Sequence, residues 1–87
     1  MWYVYILECG GKSLYTGITD NLERRFKEHK SGKGGKFTHT FKVSKLLYYE
    51  ICGSRIDAFK REAQIKGWTR KKKLALIAGD KALLKKL

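Results

Sequence analysis

Proline is missing altogether from this 87-residue chain, asparagine occurs once, and there are 8 acidic residues against 20 lysines and arginines. With 43% apolar and 13% aromatic residues and little low-complexity sequence, the composition is that of a compact globular domain and argues against a disordered tail. At this length one domain, residues 1–87, is expected, burying roughly 60–65% of its chain surface. Cysteine is scarce too. Cys9 and Cys52 have no C-x-x-C spacing and read as two reduced thiols, and no cysteine metal site is suggested. Long hydrophobic runs are absent. Trp2–Leu7 is too short for a secretory segment and meets Glu8 at once, and nothing approaches the ~20 apolar residues of a membrane span. The expected location is cytoplasmic, with no membrane partner.

What is present in excess is positive charge, a formal +12. On so small a surface it creates a field of several kT that attracts polyanions, which makes nucleic acid the leading partner class. An anionic membrane fits less well, because the basic residues are spread along the chain and not gathered on one amphipathic helix. Arg24, Lys33, Lys36, Lys66, Arg70, Lys71, Lys72 and Lys73 are the candidate backbone contacts. A merely solvated face is the competing reading for the Lys33, Lys36 and 70–73 groups.

The pattern along the chain predicts two short strands, Trp2–Glu8 and Ser13–Ile18, closing into a hairpin around Gly10-Gly11. Asp20, with Glu23 three residues on, has the form of a capping box for a helix running to about Lys30 and stopping at Ser31-Gly32. Residues 31–36 read as a mobile basic loop. Val43–Ile51 has the composition of a central strand. Ser54 and Gly67 bound a second helix, Thr69 and Gly79 a third, and Asp80 starts a last amphipathic turn using Leu83, Leu84 and Leu87. The order ββαβαα predicts an α/β (α+β) fold with a three-stranded, mainly antiparallel sheet and flanking helices.

Three polar side chains stand where apolar ones are expected. The i, i+3, i+4, i+7 face of the first helix reads Leu22, Arg25, Phe26, His29. The inward stripe of the second reads Ala58, Phe59, Glu62, Ala63, with Lys66 at its end. An ionisable group aimed at a core is costly unless it is paired, coordinated or lining a wet cleft, so two such helices suggest a site. The bland alternatives are a structural Arg25–Glu62 ion pair and a core histidine at position 29. Gly11-Lys12-Ser13 has the ending of a phosphate-binding loop, but Ile6 stands where that loop needs glycine, and the reading is rejected. His39 sits in a polar stretch and reads as solvated, while Trp2 and Trp68 read as packing residues.

The triplets Tyr3-Val4-Tyr5 and Tyr15-Thr16-Gly17, followed by Arg25, His29 and Glu62, resemble the GIY-YIG nuclease superfamily, most closely its small stand-alone, UPF0213-like branch. The resemblance covers residues 2 to about 67. It implies a metal-dependent endonuclease acting on nucleic-acid phosphodiesters, in DNA repair or processing, with Mg²⁺ or Mn²⁺ held by Glu62. It further implies Arg25 on the scissile phosphate, Tyr5 or Tyr15 positioning or deprotonating the attacking water, and His29 assisting by a hydrogen bond or phosphate contact. This chain departs from the family pattern in its first triplet, which lacks the glycine and isoleucine, and in Thr16, where isoleucine is usual. It also has no asparagine after the glutamate helix, where Lys66 offers a phosphate contact instead.

The residue types suit that chemistry. In-line attack builds charge on the phosphoryl oxygens, which a fixed guanidinium grips in a bidentate way. One carboxylate suits Mg²⁺, which keeps most of its waters, whereas tyrosine, with a pKa near 10, is a poor base until its surroundings help it. Two rivals remain: a non-catalytic basic nucleic-acid-binding module, and an accessory subunit of a repair or RNA complex with a protein partner supplying targeting. Hairpin parity is decisive for the site. A two-residue Gly10-Gly11 turn would place Tyr15 opposite Ile6 and send the tyrosines to opposite faces. The resemblance therefore predicts an odd-length loop or a bulge.

Overall fold

The computed structural model describes residues 1–33 and 42–86. β1 (Trp2–Cys9), β2 (Ser13–Thr19) and β3 (Val43–Cys52) form an antiparallel sheet in the order β2-β1-β3. Among the described residues four helices accompany it: α1 (Leu22–Lys30) between β2 and β3, then α2 (Arg55–Lys66), α3 (Arg70–Ala78) and the short α4 (Lys81–Lys86). The expected α+β architecture and the order ββαβαα are present, with α4 as the anticipated terminal turn. Among the described residues no helix is long and apolar enough to cross a membrane.

The hairpin closes through three residues, Gly10, Gly11 and Lys12, all with positive φ (25°, 70° and 95°). That odd number pairs Cys9 with Ser13, Leu7 with Tyr15 and Tyr5 with Gly17, so both tyrosines lie on one face, as the parity argument requires. Register shifts between Ile6 and Leu7, and between Glu8 and Cys9, let β3 follow β1 while Tyr5 stays opposite Tyr49 and Leu7 opposite Leu46.

One face of the sheet, with Tyr5, Leu7, Cys9 and Val43 buried, is covered by Leu22 and Phe26 of α1. The other face buries Val4 and Ile6 against Ala58 and Ile65 of α2 and Leu76 of α3. Each fully buried aliphatic side chain contributes on the order of 1.5–3 kcal/mol, and these two thin layers hold the strands that carry the site. Cys9 and Cys52 are free thiols. They lie near opposite ends of β1, Cys52 being paired with Trp2, so roughly 20 Å of strand separates them.

Three expectations change. Asn21, not Asp20, caps α1: its side chain accepts from Arg24 N at 3.0 Å, while Asp20 pairs with the Arg24 guanidinium and Glu23 with Lys27. The last residue of β2, Thr19, takes the Asn21 amide on its Oγ1 and so sets the helix to begin one residue later. β3 is an edge strand and not the central one; β1 is central, and Tyr49 and Ile51 are exposed on the face that α1 covers only in part. The inward stripe of α2 is anchored by Ala58 and Ile65, whereas Phe59 is 61% exposed and Ala63 is also exposed. A three-stranded sheet offers a narrow surface, and the small Ala58 with Ile65 one i+7 step on fills it, which rotates Phe59 outward while keeping Glu62 half-buried. Part of the basic loop 31–36, including Lys36, and His39 lie outside the described residues.

Candidate active site

The site is built where α1 crosses the hairpin. The α1 stripe is as expected: His29 is 1% exposed and Leu22, Arg25 and Phe26 are half-buried. The Tyr5 hydroxyl lies 2.8 Å from His29 Nε2. The Tyr15 ring stands 6.3 Å from that of Tyr5 and 5.1 Å from the imidazole, centroid to centroid. Tyr5, Tyr15 and His29 thus form one packed group.

Burial sets the protonation of this group. It pushes Tyr5 up to about 12, while a hydrogen bond from Arg25 pulls the other way and the Glu62 charge adds to the rise. Burial, assisted by the Arg25 charge, pushes His29 down to about 4, so the imidazole is neutral at physiological pH. Arg25 can only donate, and the arrangement that uses every group has Tyr5 accepting from Arg25 and donating to His29 Nε2. Arg25 also pairs with Glu28 at 3.5 Å.

Gly17 is the residue that permits this geometry, and its role escaped the sequence reading. A Cβ built there would stand 2.5 Å from the Tyr5 hydroxyl and 2.7 Å from Cζ, so the Tyr5 ring lies across the glycine of the facing strand. The signal was available: glycine inside a strand often marks a close approach. Its neighbour Thr16 points to the opposite face, where its hydroxyl is buried without a hydrogen-bond partner among the described residues.

Glu62 is placed on the half-buried side of α2, its side chain 15% exposed and its ion pair made with Lys66 at 3.5 Å. Arg25 pairs with Glu28 and Glu62 with Lys66, each on its own helix. Glu62 acts on Tyr5 by its charge across the intervening space. Among the described residues there is no group of three or more His, Cys, Asp or Glu that could hold a metal ion.

The other candidate contacts are dispersed. Arg24 pairs with Asp20 at 2.8 Å and Glu28 at 3.8 Å beside the site. Lys33 is exposed just beyond α1. Arg70 and Lys73 line a cleft of about 360 Å³ at the start of β2, where Arg70 donates to the Lys12 carbonyl. Lys71 is exposed, and Lys72 lies 4.4 Å from the Trp68 ring centroid, which Arg61 also approaches at 5.1 Å. Trp68 thus packs against cations as well as core. Arg61 in turn grips Glu50 through Nε at 2.7 Å and Nη2 at 3.3 Å, fastening α2 to β3, a tie the sequence did not disclose.

An antiparallel hairpin with two tyrosine triplets, flanked by helices presenting arginine, histidine and glutamate, is a nuclease-type fold. The chain matches the GIY-YIG catalytic domain over residues 1–75. It is 53% identical over 76 residues to a UPF0213 protein of Syntrophus aciditrophicus, covering 86% of this chain and 87% of that one. It is 45% identical over 75 residues to a UPF0213 protein of Staphylococcus haemolyticus, covering 86% and 92% respectively. The solution structure of a UPF0213 protein from Bacillus halodurans, 40% identical, superposes with a TM-score of 0.55 over 90% of this chain and 84% of that one. The chain belongs to the GIY-YIG family, in its UPF0213 group.

Proposed function

We propose that this protein is a metal-dependent endonuclease that hydrolyses nucleic-acid phosphodiester bonds. The observation that carries the reading is the Tyr5–His29 hydrogen bond, with Arg25 on the same hydroxyl and the Glu62 charge in range. A tyrosine held near pKa 12 cannot take a proton from water unless it passes on its own. His29 Nε2 at 2.8 Å accepts the Tyr5 hydroxyl's hydrogen bond, but an imidazole held near 4 is too weak a base to take its proton, so the hydroxyl stays protonated and orients the water through its oxygen lone pair. Tyr5 is thus the residue that addresses the nucleophilic water, and Tyr15 packs the imidazole in place. Arg25 donates to the scissile phosphate, whose developing negative charge a fixed guanidinium stabilises.

Glu62 fits a divalent cation as its single protein carboxylate. It is largely enclosed, its pair with Lys66 lies within its own helix at 3.5 Å, and a site of one carboxylate suits Mg²⁺ or Mn²⁺ that keeps most of its waters. When bound, such a cation supplies charge stabilisation to the phosphoryl oxygens. Lys66 and Arg24, next to the site, and Arg70 to Lys73, further away, supply sequence-independent backbone attraction, with DNA the preferred substrate.

The test is cleavage of duplex, flap, branched and single-stranded DNA and of RNA, with Mg²⁺, Mn²⁺ or EDTA. We expect metal-dependent cutting by the wild type and its loss, by about 10²-fold or more, in Glu62→Gln, Arg25→Ala and Tyr5→Phe. Binding without cutting, unchanged in Glu62→Gln, would replace this reading by that of a non-catalytic binding module.

A further inference from the structure

A cleft of about 350 Å³ opens beside Arg25 and runs around the β2 edge to the first residue of α2, between Arg24 and Arg25 on one side and Trp2 and Arg55 on the other. It holds three arginines against two carboxylates, Asp20 and Glu28. Those carboxylates are spent on Arg24 and Arg25. Among the described residues Arg55 has no ion pair; its guanidinium lies over the Trp2 ring, 5.6 Å from the centroid. The net positive charge of the cleft is therefore lodged at Arg55, next to a half-buried aromatic ring. Neither residue belongs to the cluster around Tyr5.

We propose that this cleft seats an unpaired nucleotide flanking the scissile position of a nucleic-acid strand, with Arg55 on its phosphate and Trp2 beneath its base. The proposal rests on the nuclease reading for the position of the scissile phosphate at Arg25, which lines both the cleft and the catalytic cluster. Continuity through Arg25 means that a strand held there continues into the cleft. A positive groove with an aromatic side chain is the common form of single-strand binding, in which bases stack on aromatic rings and guanidinium planes. The volume, near the lower end of small-ligand pockets, is of the size of one nucleotide.

The test is binding of labelled oligothymidylate and of a blunt duplex to the full chain in EDTA, where cutting plays no part. Arg55→Gln is compared with Lys85→Gln, which removes the same charge from the far end of the chain. We expect Arg55→Gln to weaken single-strand binding at least about fivefold more than Lys85→Gln and to lower the salt slope by about 0.7, one phosphate contact. On the duplex the two variants should match. Equal losses for both variants on the single strand, or as great a loss for Arg55→Gln on the duplex, would overturn the proposal. Independently of any variant, the Trp2 indole resonance of the wild type should move on titration with oligothymidylate, and an unmoved resonance would also overturn it. Absence of cleavage with these binding results intact refutes the nuclease reading alone. Cleavage without an Arg55 effect refutes the cleft alone.

Discussion

Gly17→Ala is the substitution whose consequence the geometry fixes most tightly. Gly17 does not need glycine for its backbone, since its φ is not positive. It needs glycine for space: an added Cβ meets Tyr5 at 2.5 Å (hydroxyl), 2.7 Å (Cζ) and 3.1 Å (Cε2). The ring cannot swing away freely, because Tyr5 is 2% exposed and its hydroxyl is tied to His29 at 2.8 Å. Overpacking at a filled position costs about 1–3 kcal/mol, and displacing the hydroxyl adds about 1 kcal/mol for the lost hydrogen bond. For a domain of this size each kcal/mol lowers the melting temperature by roughly 4–8 °C. The assay is urea and thermal unfolding of wild type, Gly17→Ala, Tyr5→Leu and the double variant. Removing the ring makes room, so Gly17→Ala should cost almost nothing in the Tyr5→Leu background, a coupling of at least about 1 kcal/mol. Additive effects, or a Gly17→Ala loss below about 0.5 kcal/mol, would refute the close-approach argument.

Two further outcomes follow from the same face and its opposite. Thr16→Val removes a buried hydroxyl that has no partner among the described residues while keeping the shape, and should raise stability by about 1 kcal/mol in urea unfolding; a loss of stability would mean the hydroxyl is satisfied. His29 is held near 4 against an ordinary value of 6.5, so from about pH 6.5 down to about pH 4 the unfolded chain binds a proton that the folded chain refuses. That contribution is fully present above pH 6.5 and falls away on acidification, by up to about 3 kcal/mol, and His29→Gln should flatten this part of the pH–stability curve. An unchanged curve in His29→Gln would assign the acid sensitivity to other groups.

Local chemistry was legible in this chain, and the relation between elements was not. The caps at Ser54 and Thr69 and the stop at Gly79 each follow from one residue acting on its own neighbours, and the helices they bound fall where the sequence places them. The α1 stripe was legible for the same reason, since Leu22, Arg25, Phe26 and His29 share a face by helical periodicity alone. Phe59 misled because periodicity gives a face but not which of two adjacent faces meets a narrow sheet, and the small Ala58 decided it. β3 misled because an aromatic and β-branched run reads alike whether its outer face is covered or open. The hairpin parity lies between these cases. Two glycines permit either an even or an odd loop, and the turn chemistry alone does not choose. The choice comes from what the strands must hold: only the odd loop sets Gly17 opposite Tyr5, and only then can the Tyr5 ring cross the strand to reach His29. Lys12 accordingly accepts a positive φ, an unfavourable conformation for a side-chain-bearing residue. Its carbonyl is fastened by Arg70, so α3 helps to hold the turn on which the register of the site depends.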